Sequence, residues 1–188
     1  PRKAKPFFEK EHGEKYSLVL PIDKGKIGLP QGISKGQHVL SFLTQLLSPV
    51  DSISDFSKLP IPFFCIATDV ETGNQVKLTS GSLPLALRAS GSFPTLLDPI
   101  EINGKLLVDG GIANNFPVDE MKKMGVDIII GVDVQSELFK KEKIKTVLDV
   151  LGQISNYQIY KRNAEQVAKT DVYIHPDIYD YSVVSFDK

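Results

Sequence analysis

Apolar positions along this chain fall into short runs, bounded by glycine, proline and acid-amide clusters, and the spacing within each run tells strands from helices. Residues 16–22, YSLVLPI, read as a strand with Pro21 placing it near an edge. Residues 34–47 read as an amphipathic helix, with Val39, Leu43, Leu46 and Leu47 on one face and Ser34 and Gln37 as a capping box. The run from Phe63 to Ala67 is a buried central strand, and Glu71-Thr72-Gly73-Asn74 turns it back into QVKL as a hairpin. Residues 82–89 suit a short helix capped by Ser82, with Pro84 in its first turn and Gly91 at its stop. Asn103-Gly104, between PIEI and KLLV, signals a type I′ hairpin. Residues 146–169 read as a long helix with Val147, Leu151 and Ile154 on a shared face and Gly152 weakening its middle; Val172-Tyr173-Ile174 reads as a strand closed by His175-Pro176.

The chain is organised around residues 106–134. The run Leu106-Leu107-Val108 ends at Asp109, followed by Gly110 and Gly111, a polar loop with Asn114 and Asn115, and a helix from Pro117 to Met124. Gly125 stops the helix, and Ile128-Ile129-Ile130 forms the next apolar run. Proline suits the first helical position, and acids (Asp119, Glu120) ahead of bases (Lys122, Lys123) match the helix dipole. Strand, helix, strand predicts a parallel pair with a right-handed crossover. Asp109 then stands where open α/β sheets bind their ligands, beyond the carboxyl end of a parallel strand.

Composition narrows the function classes. With 188 residues, 41% hydrophobic and 24% charged, residues 1–188 form one domain with one core. A net charge of −1 with interspersed signs provides no footprint for nucleic acid. The single cysteine, Cys65, lies inside an apolar run and reads as a small buried hydrophobe. No stretch approaches the roughly 18 apolar residues of a membrane helix.

Candidate chemistry begins with Gly32-Ile33-Ser34-Lys35-Gly36, a literal G-x-S-x-G. Such a motif makes a nucleophile elbow when a buried strand leads into it. The preceding KIGLPQ is too short and broken to be a buried central strand, so helix capping competes with nucleophile as the role of Ser34. Ser34, Asp109 and His175 do occur in the serine, acid, histidine order of α/β hydrolases. Against that reading, His175 precedes a proline and no glycine-rich oxyanion loop lies upstream; His12 and His38 read as solvated. Asp69 and Asp133 end buried runs and read as turn residues. No carboxylates or histidines share a helix face at metal-ligand spacing, so neither a metal nor another cofactor is expected.

The stretch PIPFFCIATDVETGNQVKLTSGSLPLALRASGSFPTLLDPI, followed by NGKLLVDGGIANNFPVDEM, GVDIIIGVDV and TDVYIHPD, resembles the patatin-like phospholipases, especially their bacterial members. The match rests on Asp109-Gly110-Gly111 spaced behind RASGSFP. The resemblance implies a three-layer α/β/α sandwich with a mainly parallel sheet. It also implies ester hydrolysis on lipid acyl chains by a serine and aspartate dyad, with Asp109 as the base. The expected partners are a lipid or acyl-ester substrate and a membrane surface. The family's oxyanion loop and elbow have no convincing counterpart here, so residue 1 is expected to lie downstream of both. On that expectation the fold is incomplete at its N-terminal side, and the chain alone supplies the acid without the nucleophile and hydrolyses no ester. It would then bind a complementary N-terminal segment or itself through exposed apolar surface. Residues 93–97, FPTLL, are expected either to shape an acyl entry or to pack in the core. Two other readings stay open: a self-contained hydrolase using Ser34, Asp109 and His175, and a non-catalytic α/β binding module.

Overall fold

The computed structural model describes residues 22–23, 26–27, 32–135 and 137–178. The strand expected over residues 16–22 lies outside the described residues except for its last position. The strands are β1 (Ile22–Asp23), β2 (Lys26–Ile27), β3 (Gly32–Ser34), β4 (Cys65–Asp69), β5 (Gln75–Leu78), β6 (Thr95–Leu97), β7 (Ile100–Ile102), β8 (Lys105–Asp109), β9 (Ile130–Val132) and β10 (Val172–Ile174). The helices are α1 (Gln37–Leu46), α2 (Leu83–Ser90), α3 (Gly111–Asn114), α4 (Val118–Lys122) and α5 (Val147–Val167). The architecture is α/β.

Its principal sheet has the order β5-β4-β8-β7, and every pairing in it is antiparallel. Parallel pairing is confined, among the described residues, to β3 with β6 and β9 with β10. The mainly parallel sheet expected from the family resemblance is thus mixed in this part of the chain, and the reason is local. Asn103 and Gly104 sit at φ 52° and 72°, the two positive angles of a type I′ turn, which reverses the chain between β7 and β8. The Glu71–Asn74 turn does the same between β4 and β5, as expected. With β4 on one edge and β7 on the other, β8 has no edge left for β9. The predicted parallel crossover from β8 through the following helix is therefore not made, and β9 pairs with β10 instead. Asp109 ends a strand flanked by antiparallel neighbours.

Helix boundaries follow tertiary context. α1 begins at Gln37 rather than at Ser34, because Ser34 still belongs to β3, where its carbonyl accepts the Asp98 N–H at 2.9 Å. The capping box with Gln37 is absent; Gly36, at φ 66°, is the cap residue. Leu47 packs on the core, yet Leu46 is 60% exposed and Val39 is exposed too, so the expected face is only partly used. α2 starts after Ser82 and ends before Gly91, as its pattern predicts, and buries Leu83, Ala86, Arg88 and Ala89. The polar loop expected after Gly111 is instead the single turn α3. α4 is shorter than the expected helix, and Gly125 follows it in the left-handed region. α5 carries a capping box: the Thr146 hydroxyl accepts the Asp149 N–H at 3.1 Å, and Asp149 Oδ2 accepts the Thr146 N–H at 2.7 Å. Ile154, expected on its buried face, is 56% exposed.

The core lies between β4, β8 and α2. β4 is buried at all five positions, where the small side chains of Cys65 and Ala67 let Phe56, Leu107 and Ala89 close against them. A second cluster joins Phe116 and Val118 to Ile129, anchoring α4 beside β9. Fully burying a leucine or phenylalanine contributes about 1.5–3 kcal/mol.

Leu107→Ala is expected to destabilise the chain by about 2–5 kcal/mol. Thr146→Ala, which removes the α5 cap, is expected to cost about 1 kcal/mol. Urea unfolding followed by far-ultraviolet circular dichroism measures both.

Candidate active site

Strand β8 carries Asp109 to a position opposite Ala67 of β4, where each main-chain group around the acid has a partner. The Asp109 N–H donates to the Ser92 carbonyl at 3.0 Å, and the Gly110 N–H to the Ser90 carbonyl at 3.2 Å. The Asp109 carbonyl accepts the Thr68 hydroxyl at 2.7 Å. Gly110 packs so closely on the Ile66 carbonyl that a Cβ at this position would overlap it, which explains the first glycine after the acid. A Cβ on Gly111 would stand 2.8 Å from Asn115 Oδ1, which leaves little room for a side chain at the second.

The half-buried Asp109 side chain lines a cavity of about 530 Å³. Its walls are mainly apolar, from Phe63, Phe64, Leu87, Met121 and Met124, with Ser90, Asn114 and Asn115 as polar points. Asp109 Oδ1 accepts the Gly111 N–H at 2.7 Å; among the described residues Oδ2 has no such partner. Burial pushes the Asp109 carboxyl above its ordinary value, and the Gly111 N–H opposes the shift. Cys65 also lines the cavity, but burial pushes its thiol up to about 11, so it stays protonated at neutral pH and is no nucleophile. This agrees with its reading as a small buried hydrophobe.

Ser34 and His175 are placed elsewhere. Ser34 does end a short strand, which its preceding sequence did not foretell, but its hydroxyl accepts the Gly36 N–H at 3.1 Å. The last glycine of G-x-S-x-G is explained by packing, because a Cβ on Gly36 would overlap the Arg88 guanidinium. Arg88 is buried and donates to the carbonyls of Lys35 and Asp98, at 3.2 and 3.0 Å, and to the Ser92 hydroxyl. Burial lowers the Arg88 pKa, and the nearby Asp98 charge opposes this. His175 stacks on Tyr173 with ring centroids 6.3 Å apart. Neither Ser34 nor His175 lines the Asp109 cavity, so the three are not gathered as a triad. Asp69 and Asp133 hold turns, accepting the N–H groups of Glu71 and Gln135, each at 3.0 Å. Pro94 and Leu97 line a second cavity of about 370 Å³ with Val108 and Ile112 and are not in the lining of the Asp109 cavity. Among the described residues, no group of three or more His, Cys, Asp or Glu could hold a metal ion, and no helix is long and apolar enough to cross a membrane.

Sequence reasoning missed Thr68, Ser90 and Ser92 as residues of the site. The available signal was RASGSFP at its spacing before Asp109, because this segment supplies the carbonyls that receive the Asp109 and Gly110 N–H groups.

Comparisons with known proteins show which family the chain is similar to. The family model for patatin-like phospholipase matches residues 16–122, more than half of the chain. An uncharacterized NTE family protein of Mycobacterium bovis is 33% identical over 103 residues, covering 55% of this chain and 28% of that protein. Patatin-like phospholipase domain-containing protein 7 of Mus musculus is 30% identical over 158 residues, 68% of this chain and 12% of its own length. Neuropathy target esterase sws of Drosophila melanogaster is 32% identical over 168 residues, 72% of this chain and 12% of its own length. The matched region is thus a small part of each relative. With Asp109-Gly110-Gly111 lying inside the matched region and flanking an apolar cavity, the chain belongs to the patatin-like phospholipase family.

Proposed function

We propose that this chain provides the general base of a lipid acyl hydrolase, with Asp109 accepting the proton of a serine hydroxyl as the serine oxygen attacks an ester carbonyl. The proton then passes to the departing alcohol; in a second step Asp109 takes a proton from water as its oxygen attacks the acyl-serine, the serine oxygen–acyl bond breaks to release the fatty acid, and the proton returns to the serine oxygen. The observation that carries this reading is the Asp109 carboxyl itself, half-buried on an apolar cavity with one oxygen fixed by Gly111 and the other without a hydrogen-bond partner among the described residues. Apolar walls with a few polar points suit an acyl chain, and an adjacent base is what activates a serine. The names of the relatives point the same way: the Mus musculus one is called a patatin-like phospholipase domain-containing protein and the Drosophila one an esterase. Carboxylic esters of lipids are the proposed substrates, met at a membrane surface.

Ser90 shares the cavity, but it is not the proposed nucleophile. It closes α2 at the helix C-terminus, where the dipole is negative and opposes an oxyanion, and its hydroxyl donates to the Ile66 carbonyl at 2.6 Å. The serine is proposed to lie outside these 188 residues, which by themselves are proposed to be inactive.

A fluorophosphonate probe tests this. In the full-length protein, labelling is expected at one serine, to fall at least about a hundredfold in Asp109→Asn, and to be unchanged in Ser34→Ala. Labelling mapped to Ser34, or labelling indifferent to Asp109→Asn, overturns the reading. The hydrolytic rate is expected to rise with pH through a value above the ordinary aspartate pKa of about 3.9, because the base must ionise against burial. The same burial acts on stability. The folded chain holds the Asp109 proton more tightly than the unfolded chain, so this carboxyl destabilises the fold as pH rises from the ordinary carboxylate range through its raised value. Asp109→Asn is therefore expected to gain stability on wild type between about pH 3 and about pH 7, as read by urea midpoints at both.

A further inference from the structure

The Asp109 loop is held from behind by one side chain. Thr68, on β4 and 3% exposed, lies opposite Val108, one position from the pair Ala67 and Asp109. Its hydroxyl donates to the Asp109 carbonyl at 2.7 Å and accepts the Ala113 N–H at 3.1 Å. One oxygen therefore ties the residue that carries the acid to the far end of the turn that follows it. Between these two points lie Gly110, pressed on the Ile66 carbonyl, and Gly111, whose N–H fixes Asp109 Oδ1. Displacing the turn displaces the Gly111 N–H, and with it the orientation of the carboxylate. Thr68 does not touch the Asp109 cavity. It borders the second cavity, with Val108 and Ile112, on the opposite side of the strands, as alternation of side chains along β4 and β8 requires.

We propose that Thr68 is a positioning residue for the Asp109 base, holding the loop Asp109–Ala113 so that the carboxylate faces the cavity at a fixed angle. The inference rests on the hydrolase reading above and adds a residue to it. Thr68 acts through Asp109 and meets no substrate, so its loss changes turnover more than binding. Valine is the informative replacement, since it keeps the shape and removes both hydrogen bonds, while serine keeps the hydroxyl.

In the full-length protein, Thr68→Val is expected to lower kcat on a water-soluble acyl ester by about ten- to a hundredfold with KM within about twofold, and Thr68→Ser to return kcat to within about threefold of wild type. The acid limb of the rate profile is expected to move in Thr68→Val and not in Thr68→Ser. Asp109 and Cys65 are the titratable groups facing this cavity among the described residues, and the thiol is protonated throughout that range. Unchanged kcat and acid limb in Thr68→Val, or equal losses in the valine and serine variants, overturns the proposal. Should valine fail to fold, Thr68→Ala removes the same hydroxyl without adding volume and is held to the same outcomes.

A second readout needs no turnover. The Asp109 carboxyl carbon, followed by NMR through a pH titration, is expected to shift its midpoint in Thr68→Val and to keep it in Thr68→Ser. An unmoved midpoint in Thr68→Val overturns the positioning role. A wild-type protein that hydrolyses no ester while the midpoint still responds to Thr68→Val removes the hydrolase reading alone.

Discussion

The pairing of β4 with β8 is the constraint on which the rest of this structure depends. Three registered pairs, Ala67 with Asp109, Thr68 with Val108 and Asp69 with Leu107, set the acid against a strand buried on both faces. The close seat of Gly110 on the Ile66 carbonyl extends that pairing past the end of β8. A strand displaced by one residue would turn Asp109 to the opposite face, toward Val108 and Ile112 rather than the cavity. Core packing and site geometry are thus the same set of contacts. Leu107 is buried in the core while Asp109, two residues on, reaches the cavity edge.

What the sequence made legible were the features written in consecutive residues. The Asn103-Gly104 turn, the Glu71–Asn74 hairpin, the α2 boundaries and Asp109 at the end of an apolar run are all specified by neighbours a few positions apart, and the structure has each of them. The elements that changed are those decided at a distance. Residues 106–134 do read as strand, helix, strand, but whether the two strands pair depends on which edges other segments have already taken. Ser34 looked like a helix cap because its local pattern is a good one. Its backbone is instead committed to β6 and the Lys35 carbonyl after it to the Arg88 guanidinium, which arrives from a helix about fifty residues away. Thr68 left no mark at all, since a threonine in an apolar run reads as an ordinary strand residue.

The two glycines after the acid show how family membership and packing converge. Resemblance supplies Asp-Gly-Gly as a motif; the structure supplies a reason for it. One glycine is required by backbone packing across the sheet; at the other, whose N–H fixes the acid, a Cβ would press on the Asn115 and Asp109 side chains. Ser90 and Ser92 belong to the same arrangement, because their carbonyls receive the Asp109 and Gly110 N–H groups. RASGSFP and Asp-Gly-Gly are two halves of one backbone junction.

That junction has an entropic side. The hairpins β4–β5 and β7–β8 close over a handful of residues, whereas Thr68 and the Asp109 carbonyl it binds are 41 positions apart. Loop closure over such a separation costs more chain entropy than closing either hairpin, and the contacts between β8 and β4 must offset it. The seat of the acid therefore rests on a contact whose loop-closure cost exceeds that of either hairpin beside it, so the hairpins alone do not build the cavity that Asp109 faces.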